Sequence, residues 1–154
     1  MFSISKNIID PAVFSASFAD NRAGAFVTFE GWVRDHNEGN QVATLEYESY
    51  EELCPTEAKL ISIEAHEKFV VIEICCVHRV GELQLGEIAV WVAASVAHRG
   101  DASTACRDVI DKIKSRLPIW KKETYVNGAL GWVNCQSHCQ QTDSEKEASI
   151  AASR

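Results

Sequence analysis

The sequence predicts an α+β domain, a mixed or largely antiparallel sheet with helices packed on it. Three observations carry this prediction. Short segments rich in Val, Ile, Phe, Tyr and Trp either alternate with polar residues or run unbroken apolar, as strands do. Two longer segments, 55–69 and 102–116, repeat apolar residues at helical spacing. The segments follow one another as α, β, β, α, β, β, α, β, β, an order that suits a sheet with its helices on one face.

Asp10-Pro11 opens the first helix, with Asp as N-cap and Pro at the first helical position. The helix runs through Phe14 and Phe18. AFVTFEGWVR, residues 25–34, alternates and is a strand; DHNEGN follows as a polar loop, and VATLEYESY, 42–50, is a second strand expected to pair with the first as a hairpin. Pro55 begins the helix over 55–69, whose apolar face holds Ala58, Ile61, Ala65 and Phe69. VVIEICCVHRV, 70–80, and EIAVWVAASVA, 87–97, are apolar enough to be central strands, joined by a connection bracketed by Gly81 and Gly86. The helix over 102–116 buries Ala102, Ala105, Cys106, Val109, Ile110 and Ile113 and stops at Pro118. WKKETYV and ALGWVNC flank Asn127-Gly128, a strong hairpin signal. Residues 1–135 thus form one catalytic-size domain, and 136–154 read as a polar tail, flexible or ordered by a partner.

A chain of 154 residues buries enough surface to fold without disulfides or metal. The segment MFSISKNIIDPAVF lacks the long apolar core of a signal peptide, and no apolar run is long enough to span a membrane, so a cytoplasmic protein is expected. The six cysteines are then expected as free thiols. A net charge of −7 argues against a nucleic-acid binder. Cys135, His138 and Cys139 invite a zinc reading but supply only three ligands, so no metal is expected.

Against that acidic background the cations from Arg107 to Lys122 stand out: Arg107, Lys112, Lys114, Arg116, Lys121 and Lys122. A helix C-terminus favours cations in any case, so Lys114 alone reads as a solvated capping lysine. Alternation along WKKETYV sends only one of Lys121 and Lys122 inward. His98 and Arg99 lie where a strand ends and a helix begins, a place that favours anions; the Arg99 guanidinium is suited to forking onto a phosphate. From residue 102, Lys114 lies about 18 Å along its helix. It therefore belongs to another pole of an elongated site, or to one completed by a neighbouring chain. The turn at Pro118 is expected to bring Lys114 and Lys121 close, and paired ammonium groups would supply an acid, a base or a nucleophile. His78-Arg79 reads as structural.

Taken together, GAFVTFEGWVRDHNEG, LEYESY, HRVGELQLGE, SVAHR and DKIKSRLPIWKKE resemble the large, catalytic subunit of molybdopterin synthase, in order from about Gly24 to Trp132. The resemblance implies an α+β fold that forms a homodimer. Each large subunit would bind a small ubiquitin-like sulfur-carrier subunit, giving a heterotetramer. The carrier's C-terminal Gly-Gly thiocarboxylate would enter a pocket that also takes cyclic pyranopterin monophosphate, and two sulfur transfers would make the molybdopterin dithiolene. The family's substrate-contacting segments fall on Trp32, Val33 and Arg34, on His98 and Arg99, on Lys114, and on Lys121, Lys122 and Glu123. Its two essential lysines fall on Lys114 and Lys121. No cofactor is implied, since the carrier brings the sulfur. A non-catalytic relative that binds the carrier or the pterin is the alternative.

Overall fold

The computed structural model describes residues 1–134. Cys135, His138, Cys139 and the 136–154 tail lie outside the described residues, as does the expected domain end at residue 135.

Strands β1 (Phe2–Ser5), β2 (Ala25–Trp32), β5 (Val71–Arg79) and β7 (Ile88–Val96) make one sheet in the order β1-β5-β7-β2. β1 runs parallel to β5; the other pairs are antiparallel. A second sheet holds β3 (His36–Asn37), β4 (Asn40–Ser49), β8 (Ile119–Tyr125) and β9 (Leu130–Asn134) in that order, with β6 (Gly81–Leu83) also on β4. The helices are α1 (Pro11–Ser15), which passes into a 3-10 turn at Ala16–Phe18, α2 (Cys54–Lys68) and α3 (Ala102–Arg116).

The central strands are apolar throughout because both their faces are covered. Val90, Val92 and Ala94 of β7 face α2 and α3 in the main core. Trp91 and Ala93 point the other way, toward Phe18 and Phe14. This corrects the expectation that all helices share one face: α1 and its 3-10 turn cover the side opposite α2 and α3. The capping prediction holds, with Asp10 accepting from the Ala12 N–H at 2.9 Å.

A second correction concerns the expected hairpin between the 25–34 and 42–50 segments. β2 pairs with β7, whereas β4 pairs with β8, β6 and the two-residue β3. The chain reverses in a two-residue turn at Glu38 (φ 48°) and Gly39 (φ 80°), where a left-handed backbone is required. Before that turn, the Val33 N–H donates to the Glu87 carbonyl at 2.9 Å, which holds the end of β2 on the first sheet. The two sheets meet there through Val33, Leu45, Leu83 and Ala89. β1 and β6 were not anticipated; both are short and take their partners from far along the chain.

Two of the four cations of α3 pair with acids of α2. Arg116 binds Glu57 and Glu64 at 2.5 and 2.8 Å. Lys112 binds Glu64 and Asp108 at 2.8 and 3.0 Å, and Arg107 lies 3.7 Å from Asp111. Lys114 alone of the four has no carboxylate within ion-pair distance among the described residues.

Candidate functional site

Pro118 ends α3 and turns the chain into β8, where alternation separates the adjacent lysines. Ile119, Lys121, Glu123 and Tyr125 share one face of the strand, on which Ile119 and Glu123 are buried, while Trp120 and Lys122 lie on the other, where Trp120 is exposed. Lys122 lies 3.6 Å from Glu46 and over the Trp132 ring, on the outer face of the sheet.

The Lys121 ammonium sits 2.7 Å from Oε1 of Glu123. The other Glu123 oxygen, Oε2, accepts from Asn37 Nδ2 at 2.9 Å and from the Tyr125 hydroxyl at 2.8 Å. Asn37 in turn accepts from Arg34 at 3.1 Å through Oδ1. Five side chains from two stretches, 34–37 and 121–125, thus form one connected network: Arg34, Asn37, Glu123, Lys121 and Tyr125. Burial alone would raise the Glu123 carboxyl. The hydrogen bonds from Lys121, Tyr125 and Asn37, with the Lys121 charge, outweigh it and hold the pKa below the ordinary glutamate value. Glu123 is therefore an ionised, almost fully buried counterion to Lys121. Lys121 faces this carboxylate, a counterion that the sequence reading did not assign to it.

Lys114 approaches from the last turn of α3. Its charge is felt by His78, a buried ring whose pKa is pushed down to about 4, by burial first and by Lys114 second, against a hydrogen bond with the Arg79 carbonyl. The His78 ring meets Tyr47 edge-on at 4.9 Å, and Tyr47 lies directly across from Lys121 in the β4–β8 register. Lys114 itself is exposed on the last turn of α3. His78 and Arg79 take the structural parts expected of them: Arg79 pairs with Glu87 at 2.7 Å and binds the Glu82 carbonyl.

The remaining predicted residues divide. Arg34 joins the network. Val33 is buried in the contact between the sheets. Trp32 is exposed, its indole N–H donating to Glu30 at 2.9 Å. His98 and Arg99 are exposed just beyond the far end of β7. The register sets Trp32 against Ile88 and Ala25 against Val96, so eight strand steps, about 26 Å, separate His98 and Arg99 from the Arg34 end. One chain does not bring them to the lysines.

From the sequence, Asn37 stood out only as the end of the 31–37 stretch, with no part of its own, and Tyr125 not at all. The available signals were an Asn directly before a Glu-Gly turn, and an aromatic residue two places beyond Glu123 on the same strand face. Among the described residues no group of three or more His, Cys, Asp or Glu side chains is placed to hold a metal ion. No helix among them is long and apolar enough to cross a membrane. A surface recess lined by Phe2 to Asn7, Glu51 and Pro55 lies along β1, on the opposite edge of the first sheet from β2.

The site presents a cation, Lys121, on a fixed counterion; Lys114 is a second, exposed cation at the end of α3. Residues 4–116 match the family described as MoaE protein. The molybdopterin synthase catalytic subunit of Synechococcus elongatus is 41% identical over 133 residues, covering 85% of this chain and 81% of that protein. The crystal structure of molybdopterin synthase from Staphylococcus aureus matches with a TM-score of 0.79 at 35% identity, over 84% of this chain and 94% of that one. A complex of subunits 1 and 2 of molybdopterin-converting factor from Helicobacter pylori shares the fold, with a TM-score of 0.70 at 20% identity over 89% of this chain and 91% of that one.

Proposed function

The chain belongs to the MoaE protein family, that of the molybdopterin synthase catalytic subunits, and from that premise we propose that it transfers sulfur from a carrier's thiocarboxylate to cyclic pyranopterin monophosphate. The observation that carries this reading is Lys121 clamped to a buried carboxylate, with Lys114 exposed at the end of α3 and, among the described residues, without a carboxylate partner.

A thiocarboxylate is an anion, and Lys114 is the cation free to receive it. Its sulfur forms a C–S bond to the pterin as a C–O bond there breaks. Water then cleaves the acyl–sulfur bond, leaving a thiolate on the pterin and a carboxylate on the carrier. The tetrahedral oxyanion of that second step falls to Lys114. Lys121, oriented by Glu123, protonates the leaving oxygen or holds the pterin. Arg34 binds the phosphate. His98 and Arg99 reach the same pocket only from a second copy, so the working unit is a homodimer; with one carrier on each large subunit it becomes a heterotetramer. The Helicobacter pylori complex of two subunits supports a small protein partner. The reaction would run in the cytoplasm, where the buried thiols of Cys54, Cys75, Cys76 and Cys106 stay reduced.

The test mixes the protein with thiocarboxylated carrier and cyclic pyranopterin monophosphate and assays the dithiolene. Wild type should form it, and Lys114→Ala and Lys121→Ala should each lose about 10²–10³-fold in rate while still binding the carrier. Carrier binding without product in the wild type would support the scaffold alternative instead.

A further inference from the structure

Lys121 and Glu123 are held by two residues to which the reaction itself gives no part. We propose that Asn37 and Tyr125 are positioning residues for Lys121: together they grip Oε2 of Glu123, so that Oε1 is presented to the ammonium. This rests on the reading of Lys121 as a residue of the reacting site.

The geometry leaves little freedom. Asn37 is 2% exposed and sits between a cation and an anion. Arg34 donates to its carbonyl oxygen at 3.1 Å, and its amide nitrogen donates to Glu123 at 2.9 Å. A guanidinium on one side and a carboxylate on the other permit a single orientation of the amide. Its backbone is fixed as well, since Asn37 pairs with Asn40 across the tight turn at Glu38 and Gly39.

Tyr125 approaches Oε2 from the other side at 2.8 Å. Its ring lies over Gly131, the residue opposite Glu123 on β9. A Cβ built on Gly131 would stand 3.2 Å from that ring and 3.3 Å from the hydroxyl oxygen. A side chain there would push the hydroxyl off the carboxylate.

The remaining neighbours of Glu123 add no competing charge. Leu45 is its partner on β4 and Gly131 its partner on β9. The ionisable groups facing it are Lys121, Tyr125 and, through Asn37, Arg34; Glu38 acts on Tyr125 alone. The two donors hold Oε2, which leaves Oε1 for Lys121.

Asn37→Asp is the discriminating variant because it keeps the shape and reverses the polarity. The new carboxylate would face Oε2 of Glu123 at hydrogen-bond distance. Such a pair shares one proton at acidic pH and repels once that proton leaves. Carbon-detected NMR of the Glu123 carboxyl, without substrate, should therefore show its midpoint raised by at least one pH unit. Single-turnover sulfur transfer relative to wild type should be near normal in acid and fall about tenfold or more as pH rises past that midpoint. Tyr125→Phe should move the Glu123 midpoint upward by less and slow turnover a few-fold, with substrate KM unchanged.

A folded Asn37→Asp protein with the wild-type Glu123 midpoint and a pH-independent rate ratio overturns the proposal. Should Asn37→Asp fail to fold, Tyr125→Phe decides in the same way: an unmoved Glu123 midpoint overturns it and a raised one supports it. The titration needs no substrate. If wild type transfers no sulfur, the sulfur-transfer reading fails, while the grip on Glu123 still stands or falls by the NMR result.

Discussion

Glu123→Gln separates a buried ion pair from an ordinary surface one. The side chains of Lys121 and Glu123 expose 14% and 3% of their surfaces, with 2.7 Å between the charged atoms. The substitution keeps the shape and removes the charge. Three donors, from Lys121, Asn37 and Tyr125, then converge on an amide with one acceptor oxygen, so at least one meets an N–H instead. Breaking a buried pair from one side costs about 3–5 kcal/mol. Lys121 keeps a rim of solvent, which points to the lower end, about 3 kcal/mol. For a domain of this size that lowers Tm by about 6–12 °C. Lys122→Ala is the internal control. Its partner Glu46 is 3.6 Å away and the side chains are 30% and 43% exposed, so its loss costs about 1 kcal/mol or less. Thermal and urea unfolding at neutral pH, at low and high salt, measures both. Glu123→Gln should cost several times more than Lys122→Ala, with little dependence on salt. Equal losses in the two variants would refute the reasoning, because Lys121 would then be a solvated lysine with no fixed counterion.

Two further outcomes follow from the geometry. His78 contributes stability above pH 6.5 that is lost as pH falls toward its folded value of about 4, because the unfolded chain takes up the proton first. The loss amounts to about 3 kcal/mol. Glu123, depressed below 4.5, loses its contribution only lower still, as pH falls through its folded pKa. Tm should therefore decline from pH 6.5 downward, and His78→Gln should flatten the upper part of that decline. If the proposed pocket is shared between copies, a doubly tagged mixed dimer of Arg99→Ala and Lys121→Ala chains should regain about half of wild-type activity, since one of its two sites is intact. A mixed dimer as inactive as either parent would put all these residues in one chain's site.

The apolar periodicity made most elements legible. α3 matched over its whole length because Ala102 to Ile113 repeat at helical spacing and Pro118 stops the chain. β5 and β7 were legible as central strands because neither face carries a solvated stripe. What escaped was tertiary. Phe2–Ser5 carries a weak strand signal and finds a parallel partner only in Cys76–Arg79. The 25–34 and 42–50 segments looked like hairpin partners, yet a two-residue turn and the Val33–Glu87 hydrogen bond send them to different sheets. At the site, strand alternation said that one of Lys121 and Lys122 faces outward but not which. Why Lys114 keeps an open charge was not legible, because the acids that neutralise its neighbours Lys112 and Arg116 lie mainly on α2. Asn37 was hidden for a similar reason: its partner Glu123 is 86 residues away.

The most direct test of the sulfur-transfer reading is the intact mass of the carrier in a single turnover with wild-type or Lys121→Ala protein. The account predicts that wild type converts the thiocarboxylate to a carboxylate only when cyclic pyranopterin monophosphate is present, and that Lys121→Ala leaves the thiocarboxylate intact. Conversion by Lys121→Ala at the wild-type rate, or by wild type without the pterin, would contradict it.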